Sequence, residues 1–429
     1  MTKKELRNYL LPAAAATVGT SLYILADTFF ISVAAGEKGI AALNIALPLY
    51  GLIYAIGGMV GIGSATRFSL ERETKGKNLG YFPNALFWCL AFGLVFTLSG
   101  AFFTKDIMKA LGADGDILTV GYEYTFIILA FSPLFMLGST VTAFVRNDGS
   151  PKTAMAATLL SGLFNIAFDY ILMFPLNLGM KGAALATGFS PVVSMSICLT
   201  HLLSKKSTLR LFPFLPSFKT LLHSCALGIS AFVGEISGGI TTMVFNYILI
   251  GLGGNTAVAA YGVTANAAIV VNSLLGGISQ GLQPPASRSA GRGDRPSLHL
   301  IYSCSLKWAL AVALISLGGV LLFAEGIVAI FNSSGSRLMA EYACPGIRMY
   351  FTGFVFAAVN IITCGFYSAV GRGRESSVIA LSRGLVAITA FALILSRVWG
   401  LTGVWLSFAF SEGFTLLLSL FVRALRRQS

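Results

Sequence analysis

The sequence predicts an all-α polytopic membrane protein: twelve transmembrane helices in two six-helix bundles related by an internal repeat. Three observations carry that expectation. Of 429 residues, 55% are hydrophobic and only 11% charged, where an ordinary soluble domain is about 25% charged. Twelve apolar stretches follow one another, each long enough to cross a hydrocarbon core, which takes about 20 helical residues. The two halves of the chain also read alike. A soluble fold would need far more polar surface than this composition supplies.

The spans fall near 9–34, 42–66, 81–103, 121–145, 153–174, 183–203, 221–251, 257–283, 305–324, 342–369, 377–395 and 399–422. The opening MTKKELRNYLLP runs straight into the first of them, without the short apolar core and small-residue cleavage site of a secretory signal. A net charge of +13 raises the question of a nucleic-acid partner. The distribution answers it. Only Lys38, Lys105, Lys109, Lys181, Arg337, Arg348 and Arg397 lie on one side of the spans, and the rest of the 30 basic residues lie on the other. That asymmetry is the positive-inside pattern, so both termini are expected in the cytoplasm of a multi-pass plasma-membrane protein. No nucleic-acid partner is expected.

The longest central polar interruption is HLLSKKSTLRLFPFLPSFK, 201–219. It divides an N-terminal bundle, 1–204, from a C-terminal bundle, 221–429, with a cytoplasmic linker at 205–220. AALNI (41–45) and IGGMVGIGSATR (56–67) pair with AAYGV (259–263) and LGGISQGLQPPASR (275–288). DGSPKT (148–153) pairs with RGRESS (372–377), and LGMKGAALATGFS (178–190) with GLTGVWLSFAFS (400–411). Two bundles repeated in the same direction suit alternating access about a central cavity, which implies a secondary transporter and not an enzyme. The chain carries no GxxxxGK[ST] phosphate loop, so the drive is an ion gradient or downhill movement of solute. The six cysteines lack CxxC pairing and the three histidines sit at span ends; neither a metal site nor an organic cofactor is expected.

Acids inside a bilayer are costly and normally face an interior, which makes each a functional candidate. Four lie well inside spans: Asp27, Asp169, Glu235 and Glu412. Asp27 shares a helical stripe with Tyr23 and Thr20, and Asp169 shares one with Asn165, at i−4. With Thr187 from the sixth span they can bring two carboxylates, an amide and a hydroxyl together. Hard oxygens of this kind ligate sodium, and two buried carboxyls can also load and release a proton. A static pair that locks helices is the alternative, but two acids without a base make a poor lock. Glu412 is read as structural. The glycines at 57, 58, 61, 63, 238, 239, 276 and 277 are expected to permit close helix approach.

At these residues the chain resembles a known family. LLPAAAATVGTSLYILADTFFI (10–31), AALNIALPLYGLIYAIGGMVGIGSATRFS (41–69), FVRNDGSPKTA (144–154) and NIAFDYILMFPLNLGMKGAALAT (165–187) are similar to the multidrug and toxic compound extrusion (MATE) transporters. The likeness extends through GISAFVGEISGGITTMVFN (228–246) to FYSAVGRGRES (366–376). It implies export of organic, often cationic, compounds in exchange for protons or sodium. It also implies that Asp27, Asn165, Asp169 and Thr187 form the ion site, that Pro12 is a hinge, and that Glu235 matches the acidic position of the seventh helix.

The second half departs from the first. Asp27 corresponds to Asn246, and the stretch matching Asp169, 386–395, has no acid. Glu235, Tyr50 and Asn246 are the expected contacts for an organic cation, since carboxylates and aromatic faces both attract one. The expected molecule is a monomeric antiporter that exports cationic small molecules. A rival within the same superfamily is a flippase for a lipid-linked substrate, which would favour a cationic cavity.

Overall fold

The computed structural model describes residues 1–75, 80–212, 215–331 and 336–425. Lys77, Arg426 and Arg427, counted above among the cytoplasmic bases, lie outside them. All elements among the described residues are helices. In chain order these are α1 (Lys3–Gly36), α2 (Lys38–Thr74), α3 (Tyr81–Ala110), α4 in two pieces (Gly115–Ala130 and Ser132–Asn147), α5 (Pro151–Met173) and α6 (Gly179–Leu202). Then α7 and α8 share the run Phe218–Gly291, divided at Gly254. They are followed by α9 (Arg295–Phe331), α10 (Arg337–Ala369), α11 (Gly373–Trp399) and α12 (Leu401–Leu425). The twelve-helix expectation holds, and large apolar side chains such as Phe102, Ile315 and Leu322 stand outward where lipid would cover them.

Three features of the spans differ from the expectation. Loops expected at 35–41 and 252–256 are sharp breaks at single glycines, Gly36 (φ 58°, ψ −151°) and Gly254 (φ 62°, ψ −157°). Only glycine adopts that backbone region without heavy strain, so one residue reverses the chain at the same place in each half. The fourth span is not continuous. Its pieces meet at 48° because Pro133 has no N–H for the carbonyl of Leu129. Thr97 Oγ1 donates to that carbonyl instead at 3.3 Å, and Ser132 Oγ also donates to it. The third difference is a π-helical turn in α11, Ser382–Val386.

Packing divides the chain into two compact units. One comprises Ala15–Ile236 with Ser287–Asp294; the other comprises Met1–Ala14, Ser237–Ala286 and the chain from Arg295 onward. These units depart from the bundle limits 1–204 and 221–429 at the helix ends. Leu6 and Leu10 of α1 are buried with Phe245, Tyr350 and Phe354 of the second unit. Leu221 of α7 is buried with Phe68, Phe135 and Phe144 of the first. The reason is helix length: each of these helices is long enough to pack one end in each core.

Of the glycines expected to permit close approach, Gly57 and Gly61 do so. A Cβ on them would lie 3.0 Å and 2.8 Å from the Cα atoms of Met136 and Thr140. Gly63 comes as close to Ser224. The expectation fails at Gly58, Gly238, Gly239 and Gly276, which face open space.

The DGSPKT motif closes one end of the first unit. The fully buried Asp148 carboxylate accepts from Arg72 Nη1 at 2.8 Å and from the backbone N–H of Thr208 at 2.9 Å. His201 Nε2 lies 2.9 Å from it. Arg288 donates to the carbonyl of Asn147 at 2.6 Å, and Arg292 to Glu73 at 3.0 Å. Arg72, Arg288 and Arg292 are therefore each bonded at this end.

Candidate ion and substrate site

Two helices build the floor of the site. Asn165 and Asp169 stand one turn apart on α5, both fully buried, and Thr187 faces them from α6. In the orientation that satisfies both of its atoms, the Asn165 amide donates to Asp169 Oδ2 at 3.2 Å and accepts from Thr187 Oγ1 at 3.2 Å. Asp27 arrives from α1, its carboxyl within hydrogen-bonding reach of Asp169. All four residues expected from the sequence thus converge. No lysine or arginine pairs with either acid among the described residues. Oδ1 of Asp27 and Oδ1 of Asp169 are buried without a protein partner, so both are free to accept a proton or ligate a cation.

The structure adds one residue that the sequence reading missed. Tyr124 of α4 lies within electrostatic reach of both acids. Nothing in its local sequence marks it, because its role depends on how α4 packs. Tyr23 sits against Gly162, where a Cβ would come 3.0 Å from its ring. Its phenol is within hydrogen-bonding reach of Tyr50, and that of Tyr50 reaches Tyr54. Tyr50 and Tyr54 have ring centroids 4.7 Å apart, and Phe135 meets Tyr50 edge-on at 5.4 Å. Tyr50 is therefore part of an aromatic cluster one hydroxyl away from the helix that carries Asp27.

Glu235 closes this set from α7. It is exposed, next to Gly234, which has open space where a side chain would stand. It lies within electrostatic reach of Tyr23 and Tyr54. An acid facing lipid would be costly, so this carboxylate belongs to the aqueous side of α7. Asn246 lies further along α7, half-buried, in the other packing unit. Pro12 is buried within α1, and the helix keeps helical dihedrals through it. It stands two residues before the point at which α1 passes from one packing unit to the other.

The deep acid of the second unit has different company. Glu412, 1% exposed, takes Arg383 Nε at 3.0 Å and Nη2 at 2.7 Å on one oxygen. Asn360 Nδ2 donates to the other at 2.7 Å. The π-helical turn carries Arg383, and Ser382 beside it bonds Thr415 at 2.9 Å.

A membrane transporter is the class that this fold and this site define. The chain belongs to the MatE family, whose model matches residues 12–171 and 231–394. The multidrug export protein MepA of Staphylococcus saprophyticus is 25% identical over 433 residues, covering 99% of this chain and 94% of that protein. MepA of Staphylococcus aureus is 24% identical over 430 residues, with 99% and 94% covered. Among solved structures, an outward-facing multidrug-resistance MATE transporter superposes with TM-score 0.91 at 22% identity, covering 99% of this chain and 95% of that one. A transporter of the same superfamily from Pyrococcus furiosus, described as having a binding pocket of reversed polarity, superposes with TM-score 0.90 at 22% identity, again covering 99% and 95%.

Proposed function

We propose that this chain is a multidrug-export antiporter of a bacterial cell membrane, with both termini cytoplasmic, that moves organic cations outward against an inward flow of protons. The observation that carries the reading is the acid pair. Two carboxyls within bonding reach, with no base beside them among the described residues, need a proton or a cation between them, because two ionised carboxylates have no donor to share. Each also keeps a buried, unpartnered Oδ1. A group that must be loaded to be comfortable when buried, and unloaded when wet, couples ion movement to a change of shape. Sodium could take the same oxygens, with Thr187 and the Asn165 amide completing a hard ligand set. In the bundle, Glu235 and the Tyr50–Tyr54–Phe135 cluster supply the charge and the aromatic faces that attract a cation.

The flippase alternative calls for free bases deep among the helices to hold phosphate. Arg383 is committed to Glu412, and Arg348 lies 3.9 Å from Glu325. What supports cationic cargo is that the deep acid of the second unit is neutralised while those of the first are not. The test is dye efflux from proteoliposomes under separately imposed proton and sodium gradients. Export driven by the proton gradient alone is expected. Export driven only by sodium would transfer the coupling to that ion, and export that needs ATP and no gradient would overturn the antiporter.

A further inference from the structure

Three bases cluster at the start of α1 beside a cavity. Lys3, Lys4 and Arg7 are exposed on the first two turns of α1, and none of them forms an ion pair among the described residues. The nearest acid in sequence, Glu5, is occupied by the backbone N–H of Thr2 at 2.8 Å. Arg72 and Arg292, near Asp148, by contrast each have an acid partner. The three bases line a cavity of about 390 Å³ together with Leu6, Leu10, Cys304 and Trp308. Leu6 and Leu10 are buried one turn apart on α1, and Cys304 and Trp308 stand one turn apart on α9. Two helix faces of one packing unit therefore form a cleft with a cationic rim and an apolar floor.

Its chemistry is specific. Two ammonium groups and a guanidinium beside the positive end of the α1 dipole favour a phosphate. Free phosphate would use only the rim. An apolar floor with a tryptophan, 38% exposed, is the surface that sits at the level of lipid headgroups. The volume suits a headgroup and the first carbons of its chains, at the low end of pockets for small molecules. The charge distribution assigns this end to the leaflet that carries anionic lipid.

We infer that the cleft between the first turns of α1 and α9 binds one anionic phospholipid, its phosphate on Lys3, Lys4 and Arg7 and its chains against Trp308 and Cys304. This goes beyond the antiport reading and does not depend on it. Binding here ties the start of α1, the helix that carries Asp27, to α9 and to the membrane surface.

The test titrates the delipidated full chain in neutral detergent with phosphatidylglycerol, phosphatidylcholine or inorganic phosphate, and counts bound lipid by native mass spectrometry. One retained phosphatidylglycerol is expected, with phosphatidylcholine held far less and phosphate a poor competitor. Each base removed should cost about fivefold in affinity, so a triple Lys3→Gln/Lys4→Gln/Arg7→Gln variant should lose on the order of a hundredfold. A control with Lys105→Gln/Lys109→Gln should lose none. Because the three bases also orient the first span, Trp308→Ala, which leaves every charge in place, carries the test if the triple variant fails to insert. Retention of phosphatidylglycerol by Trp308→Ala as in the parent would overturn the inference. So would equal retention of the neutral lipid, or full displacement by phosphate, which would leave only an anion site.

Discussion

The two halves share a scaffold and differ in what they bury. Both fold their first two helices around a glycine in the same rare backbone conformation, Gly36 and Gly254. Both place acids deep among helices. In the first unit Asp27 and Asp169 face each other with an amide, a hydroxyl and phenols around them, and no base among the described residues. In the second, Glu412 is held by Arg383 and Asn360 and is neutral as a pair. The lesson is that a repeat preserves backbone geometry while leaving each half free to take different chemistry. A buried acid alone is a weak functional signal. A buried acid lacking a permanent counter-charge is a strong one, because it must exchange something to change environment.

The largest effect expected from this comparison lies in the first half. Asp27→Asn and Asp169→Asn should each abolish gradient-driven efflux, and the double variant should be no worse, since residues that act as a unit are non-additive. Both variants should still insert and fold, because neutralising a buried acid removes a desolvation cost. Efflux near the parent level from either one would remove the contrast between the halves.

The second half should respond in stability instead. Arg383→Leu strands the Glu412 charge and should destabilise by about 3–5 kcal/mol, whereas Arg383→Leu with Glu412→Leu should recover most of that loss. Thermal unfolding in detergent measures both. A folded Glu412→Gln variant that had lost its ion dependence would move coupling into the second half and break the comparison.

The smallest effect concerns Glu235. It is one charged contact among several that would hold cargo, so its loss should cost about 1.5 kcal/mol, roughly tenfold in apparent affinity. Glu235→Gln should therefore weaken transport of cations by that factor and spare neutral compounds, without moving the pH profile of efflux. Asn246→Ala should leave the ion dependence intact. If Glu235→Gln impaired neutral and cationic cargo alike, its role would be structural.

The sequence by itself determined the class, the number of spans, the repeat and the acids worth attention. Those follow from properties that are local or periodic: a span needs an apolar run of known length, and Asn165 and Asp169 share a face because a helix turns once in about four residues. Single residues also carried signals that went unread, such as Ser132–Pro133 at the bend of α4. Tertiary structure alone decided that Tyr124 joins the acids, that Tyr23, Tyr50 and Tyr54 stand in series, and that Arg383 neutralises Glu412 across 29 residues. It also decided that Leu6 and Leu10 pack with the second half. These contacts join different helices, and what one helix presents to another depends on rotation and depth, which hydropathy does not encode when every face is apolar.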